Sequence, residues 1–394
     1  MRDSWQMRKR IAVGAVYGIG ILFAVLLSGC GSRARAGENE AEHASEDTDS
    51  GIDDAVDAIK EASKIGQYAA ESGGDSDVED LIEGTSTDTL ATPEDFPAAY
   101  NYGDGTLAGW SRSLTLKKMP EPAKASDTVL HASVDPTAFQ AFYLWEEGNM
   151  PAETDFTSDM AGYYDSYDFR PFVTAIPVRE DVTPKGAVVL MAGGAYQFRG
   201  NYTDTLPTAA QLRELGFRTF IVDYRLSPYT QQEGALDVAR AVRFIRKNAD
   251  IYGIDPEDVA VMGYSAGGIQ AGQFLMGFDE DVTGSALDPD YTPDSLDAVP
   301  AHASADGMIY SFYGRLSHGT LDEEALRDAN LPPTFFVYGT DDPFYSQFEA
   351  QYALLKDMGI AAGRIVLDGW PHGFGGDGGW VEPYAAWLET VFGQ

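Results

Sequence analysis

A short apolar run from Val259 to Met262 leads directly into Gly263-Tyr264-Ser265-Ala266-Gly267, and this junction constrains the chain more than any other stretch. A strand-like run that delivers a serine between two glycines reads as a sharp strand-to-helix turn. The glycines let neighbouring segments approach without Cβ clashes, and the strained backbone exposes the hydroxyl. A helix beginning at the serine aims unpaired N–H groups at the same spot, which makes the Ala266 amide a candidate donor to a developing oxyanion. In a chain with 42 glycines the same pattern also arises as an ordinary turn, so its surroundings decide its meaning.

Those surroundings have α/β order. Strand candidates at 172–178, 187–192 and 218–224 alternate with helical stretches, and others follow at 259–263, 308–312, 334–338 and 364–367. Between two of them, Ala235, Val238, Val242, Ile245, Ala249 and Tyr252 recur at spacings of three and four, one face of a helix over 235–252. Arg240, Arg243, Arg246 and Lys247 lie off that stripe and read as a solvated face with local ion pairs. The serine therefore belongs to a central strand of a chain whose 394 residues, 44% of them hydrophobic, suffice for a large core.

A serine hydroxyl is a poor nucleophile at neutral pH and needs a base, usually a histidine oriented by a carboxylate. Five histidines are available. His43 lies in an acidic N-terminal stretch, His131 precedes the regular α/β order, and His302 and His318 flank a strand candidate. His372 sits in the glycine-rich run Gly369-Trp370-Pro371-His372-Gly373-Phe374-Gly375, just after a strand, where a side chain can be offered to a neighbouring strand end. The carboxylate should close a strand between serine and histidine, and Tyr338-Gly339-Thr340-Asp341-Asp342-Pro343 supplies two candidates there.

Taken together, Gly263 to Gly267, Gly339-Thr340-Asp341-Asp342 and Pro371-His372-Gly373-Phe374 resemble the α/β-hydrolase superfamily over 172–394. More narrowly, Ala192-Gly193-Gly194-Ala195-Tyr196 followed by Asp223-Tyr224-Arg225-Leu226-Ser227-Pro228 resembles the hormone-sensitive-lipase-like and acetyl xylan esterase-like esterases. The resemblance implies an α/β-hydrolase fold, a mostly parallel central sheet with helices on both faces. It implies a triad of Ser265, Asp342 and His372, with Asp341 as the fallback carboxylate, and an oxyanion hole built from the amides of Gly194, Ala195 and Ala266. The histidine that opens the oxyanion loop in those families is replaced here by Ala192. Because the donors are backbone amides, that loss need not remove the hole. The implied activity is serine esterase chemistry on short-chain acyl esters, acetyl above all, including those on plant polysaccharides, with no cofactor and no metal. A peptidase or lipase on the same fold, or a surface protein that only binds, are the rival readings, since a triad does not choose its acyl donor. Arg225 reads as a scaffold residue bracing loops, and Arg315 as a residue within reach of substrate.

At the other end of the chain, Arg2, Arg8, Lys9 and Arg10 precede an uncharged apolar run over 11–27 that meets Leu27-Ser28-Gly29-Cys30. This resembles a bacterial lipoprotein signal, residues 1–29, whose lipobox implies lipidation of Cys30 and a membrane-anchored, extracytoplasmic protein. An uncleaved membrane anchor is the alternative, and both readings export the rest. Cys30 is the only cysteine, so the chain forms no internal disulfide and no cysteine-built zinc site. Residues 30–95 read as an acidic tether: 31–95 carry 19 Asp or Glu against four Lys or Arg, with Tyr68 the one aromatic, too little apolar surface to order itself. Residues 96–171 read as an aromatic-rich extension packed on the core, and it or 278–301 is a candidate lid. A formal net charge of −35 argues against nucleic acid as a partner, because phosphates must be neutralised by Lys and Arg.

Overall fold

The computed structural model describes residues 82–84, 105–107, 114–116 and 120–393. The signal sequence, Cys30 and almost all of the acidic tether lie outside the described residues. Thirteen strands and seven helices follow in chain order within them. The strands are β1 (Ile82–Gly84), β2 (Gly105–Leu107), β3 (Leu114–Leu116), β4 (Gln140–Tyr143), β5 (Phe172–Ile176), β6 (Gly186–Met191), β7 (Phe217–Asp223), β8 (Val259–Tyr264), β9 (Ala305–Ile309), β10 (Gly314–Arg315), β11 (His318–Gly319), β12 (Thr334–Gly339) and β13 (Ala362–Leu367). The helices are α1 (Thr205–Glu214), α2 (Gln231–Lys247), α3 (Ala249–Tyr252), α4 (Ala266–Gly277), α5 (Glu323–Asp328), α6 (Tyr345–Asp357) and α7 (Val381–Val391).

Among the described residues, nine strands form one sheet in the order β2-β13-β12-β9-β8-β6-β7-β5-β4. The run from β2 to β7 is parallel, whereas β5 pairs antiparallel with both β7 and β4. Strands β6, β7, β8, β9 and β12 are buried along their whole length, which explains why they read as continuous apolar runs rather than alternating ones. The sheet begins ahead of residue 172, since β4 pairs with β5, and its continuation Leu144 and Trp145 is buried. The Trp145 indole N–H donates to Asp237 of α2 at 2.7 Å.

Two expectations are corrected here. Strand β9 occupies 305–309, three residues ahead of the 308–312 expected from the apolar run Met308-Ile309-Tyr310. The chain leaves the sheet at Tyr310, which has a φ of 37°, so the later apolar residues are packed beyond the strand end. The second correction concerns α2, which starts with a capping box between Thr230 and Glu233 and buries the expected stripe of Ala235, Val238, Val242 and Ile245. Two of its off-stripe cations are not solvated, Arg240 and Arg243 being 1% and 2% exposed, whereas Lys247 is exposed and Arg246 pairs with Glu257 at 2.6 Å. Arg240 donates to the Leu144 carbonyl at 3.0 Å and pairs with Asp294, while Arg243 donates to the carbonyls of Glu280, Val282 and Val299. Residues 280–299 are thereby stapled onto α2, and neighbouring His302 meets Glu280 and also Glu257 just ahead of β8. His302 thus lies at the opposite strand end from Ser265, and the residues lining the cleft beside Ser265 include none from 278–301.

Arg225 braces loops as expected. It is fully buried, forms three 2.9 Å bonds to Asp237 through its amide and guanidinium, and donates to the Pro151 and Glu233 carbonyls. Removing one partner of such a pair strands a charge in the interior, at a cost of roughly 3–5 kcal/mol.

One core carboxyl is treated differently. Asp306 of β9 is 0% exposed, and neither of its oxygens receives a well-formed hydrogen bond among the described residues. Burial pushes its carboxyl up from 3.8 to about 7, with the nearby Tyr313 hydroxyl, engaged with Thr334 at 2.7 Å, offsetting only part. The folded chain thus holds this proton where the unfolded chain has released it. Stability present at pH 4 is lost as the pH rises towards 7 and stays lost above it. Asp306→Asn is expected to remove that slope, about 2–3 kcal/mol between pH 5 and pH 8. Urea unfolding of both proteins at the two pH values checks this, and parallel pH profiles would contradict it.

Candidate active site

The serine stands where the strand grammar puts it. Strand β8 ends at Tyr264, Ser265 adopts φ 49° and ψ −120°, and α4 starts at Ala266. This conformation is rare for a residue with a Cβ, costs roughly 1–3 kcal/mol, and persists only because its surroundings hold it. The Ser265 amide donates to the Ile309 carbonyl at 3.0 Å, and the Ser311 hydroxyl donates to the Ser265 carbonyl at 2.7 Å. The flanking glycines are required by contact: a Cβ on Gly263 would sit 2.2 Å from the Gly267 backbone, and one on Gly267 would sit 2.1 Å from the Met191 carbonyl oxygen.

Three loops at the same end of the sheet converge on this serine. The His372 ring lies with Nε2 at 2.8 Å from Ser265 Oγ and Nδ1 at 2.7 Å from Asp342 Oδ2. Asp342 follows β12, is 4% exposed, and accepts the Phe344 amide on its other oxygen at 2.8 Å. With Nδ1–H donating to that carboxylate, Nε2 is left as an acceptor for the serine hydroxyl. Asp341 is exposed, so the two-way choice in the sequence resolves geometrically to Asp342. The turn that separates them is tight: a Cβ on Gly339 would meet the Trp370 carbonyl oxygen at 1.8 Å.

The loop after β6 supplies the third wall. Gly194, Ala195 and Tyr196 all have positive φ, at 139°, 53° and 59°, and Ala195 lines the cleft beside Ser265. Among the described residues the amides of Gly194, Ala195 and Ala266 have no protein acceptor, which leaves all three free for an oxygen of a bound molecule. The cleft is small and open to solvent, its space of about 340 Å³ including solvent at the mouth. Its apolar walls include Ile269, Phe312, Leu316 and Phe344. Leu316 and Ser317 form the tip of the β10–β11 hairpin, so Arg315 lies exposed beside the residues that line the cleft.

Two residues that the sequence did not single out tie these loops together. Asp204, at the start of α1 and 5% exposed, accepts the Gly193 amide at 2.8 Å on one oxygen and the Tyr310 hydroxyl at 2.7 Å on the other. Burial pushes its carboxyl up, and the bonds from Tyr310, Gly193 and Thr203 pull it back in part. Tyr310 also accepts the Gly375 amide at 3.3 Å and lays its ring 4.8 Å from that of His372. The loop after β6 and the histidine loop are therefore cross-braced through one tyrosine. Nothing in the pattern around Asp204 marks it, because an acid is unremarkable in so acidic a chain. Tyr310→Phe keeps the ring but deprives Asp204 Oδ1 and the Gly375 amide of the hydroxyl they share. It is expected to lower kcat for a small ester about tenfold, a fraction of the 10² to 10³ that follows loss of a whole oxyanion donor. KM should hardly change, whereas thermal stability should fall modestly because a buried carboxyl oxygen and an amide lose their partner, and an unaltered kcat would show the brace to be dispensable for turnover.

Comparison with known proteins follows the same core. Residues 176–295 match the BD-FAE family. An acetylxylan esterase of Xylanibacter ruminicola is 25% identical over 228 residues, 53% of this chain and 46% of that protein. Endo-1,4-beta-xylanase B of Butyrivibrio fibrisolvens is 31% identical over 243 residues, 54% of this chain and 36% of that protein. The chain thus spans less than half the length of these two relatives. Among solved structures, an acetyl ester-xyloside bifunctional hydrolase from Caldicellulosiruptor lactoaceticus superposes with a TM-score of 0.49 at 20% identity, over 66% of this chain and 98% of that one. The chain has an α/β-hydrolase fold, its residues 176–295 are similar to the BD-FAE family, and over 228 residues it is similar to an acetylxylan esterase.

Proposed function

We propose that the protein is a serine carboxylic ester hydrolase acting on short-chain acyl esters, acetyl esters on polysaccharide among them. The observation that carries this reading is the unbroken chain from Ser265 Oγ through His372 to Asp342, at 2.8 and 2.7 Å, facing three free amides. In the proposed reaction His372 Nε2 takes the serine proton as Oγ bonds to the ester carbonyl carbon, and Asp342 stabilises the imidazolium. The carbonyl oxygen gains the negative charge and is held by Gly194, Ala195 and Ala266. Collapse breaks the bond to the alkoxy oxygen, which leaves as alcohol with the proton from His372. Water then gives a proton to the same nitrogen as its oxygen bonds to the acyl carbon, and collapse breaks the bond to Ser265 Oγ, which takes that proton back as the acid leaves. The small cleft with apolar walls supports a short acyl group, and the Xylanibacter relative's name supports acetyl on xylan.

The leader and Cys30 support export and lipid anchoring at the bacterial cell membrane as part of the same proposal, and radiolabelled palmitate entering the wild type but not Cys30→Ala tests it. For the activity, acetate release from acetylated xylan is measured beside hydrolysis of p-nitrophenyl acetate and p-nitrophenyl palmitate. Turnover of acetyl substrates with little on palmitate is expected. A preference for the long chain, or for peptides, would overturn the substrate class.

A further inference from the structure

Among the described residues, four of the six large hydrophobic side chains that stand out of the surface gather on two segments beside the oxyanion loop. They are Met160, Tyr164, Tyr167 and Tyr202, exposed by 46, 57, 49 and 45%. We infer that the three tyrosines form a platform on which the pyranose rings of a neutral polysaccharide stack, so that an acyl group on the polymer is presented to Ser265. This inference rests on the esterase reading and names the part of the substrate that lies outside the cleft.

The first support is continuity with the cleft. The Tyr164 ring lies 5.9 Å from that of Phe198, and the Tyr164 amide donates to the Gln197 carbonyl at 3.1 Å. Phe198 in turn packs against Gly194, where a Cβ would fall 2.0 Å from the Phe198 carbonyl oxygen. A molecule resting on Tyr164 is therefore one side chain away from the loop whose amides face the serine.

The second support is rigidity. Arg199, three residues ahead of Tyr202, holds the first segment with bonds of 2.9 and 2.5 Å to Asp165 and fixes itself to the end of β7 with bonds of 3.0 Å to Asp223 and 2.9 Å to the Tyr224 carbonyl. Asp165 lies between Tyr164 and Tyr167, and Asn201, the neighbour of Tyr202, donates to the same Asp223 at 2.9 Å. Asp159 closes the first segment by accepting the Tyr167 amide at 3.1 Å. Side chains left half exposed on so firmly anchored a backbone are not products of a loose loop. A contact surface held in place before binding loses little entropy on binding, and tyrosine with two side-chain torsions suits that use.

Chemistry selects the occupant. A pyranose offers a face of C–H groups that packs on an aromatic ring and a rim of hydroxyls for polar neighbours, which matches tyrosine's apolar body and polar tip. Exposed Asp159, Asp168 and Ser158 border the platform, and carboxylates accept from hydroxyl groups. In a chain of net charge −35 the same carboxylates repel anionic polymers, which leaves neutral ones.

The test separates binding from turnover by using the full chain with Ser265→Ala, in native gels cast with soluble xylan, dextran or hyaluronate. Retardation by a neutral glycan is expected, weakened at least fivefold when Tyr164→Ala, Tyr167→Ala and Tyr202→Ala are added and largely restored by the three Phe replacements. With Ser265 intact, the three Ala replacements should lower kcat/KM on acetylated xylan about tenfold while leaving p-nitrophenyl acetate within twofold. Equal retardation of both proteins, retardation by hyaluronate alone, or a change of oligomeric state on replacing the tyrosines would overturn the platform. Tyrosine-dependent glycan binding by a protein with no esterase activity would uphold it and refute the activity instead.

Discussion

Ser265→Ala is expected to lower kcat on p-nitrophenyl acetate by on the order of 10⁶ and to abolish labelling by a fluorophosphonate. The substitution removes the only hydroxyl within hydrogen-bonding distance of His372 Nε2 among the described residues. It leaves the backbone alone, because alanine adds nothing to a residue already at φ 49° and the serine makes no side-chain cap to α4. The three free amides remain, so a residual rate of roughly 10³ to 10⁴ over water should persist, as it does when triads lose a member. Retention of a hundredth of wild-type kcat in freshly purified protein would refute the nucleophile assignment.

Asp342→Asn should cost about 10⁴ in kcat, whereas Asp341→Asn should stay within twofold of wild type. The reason lies in the two bonds Asp342 makes. Its oxygens serve the Phe344 amide and His372 Nδ1, both as acceptors. An asparagine satisfies both neighbours only by turning its oxygen to the Phe344 amide and its NH₂ to Nδ1. That fixes the proton on Nε2, the nitrogen that must be free to accept from serine. Asp341 points away into solvent, so its charge is screened and its loss is of little consequence. Side-by-side kinetics of the two variants decide the matter, and a reversed order would exclude the geometry described for the histidine.

What the sequence disclosed was whatever local rules determine. The turn at Ser265 followed from glycine spacing, the central strands from apolar runs bounded by turns, and the histidine from its position after a strand. What it concealed depended on partners far along the chain. Arg240 and Arg243 looked solvated because the carbonyls and carboxylate that receive them come from 280–299 and from Leu144, none of them near in sequence. The displaced β9 has a similar cause: Ala305-Asp306-Gly307 has a poor strand composition, yet the parallel neighbours on both sides hold it in the sheet. The brace of Asp204 and Tyr310 joins residues 106 positions apart. The choice between Asp341 and Asp342 was open in the residues themselves, since adjacent side chains in an extended turn point different ways.

The buried pair of Arg225 and Asp237 bears on the salt response of the molecule. Mobile ions reach only charges that touch solvent, and both of these side chains are 0% exposed. Meanwhile the surface carries the bulk of a charge of −35, whose self-repulsion counterions relieve. Raising ionic strength should therefore firm the fold instead of loosening it: brine quiets the outer charges and leaves the inner pair untouched.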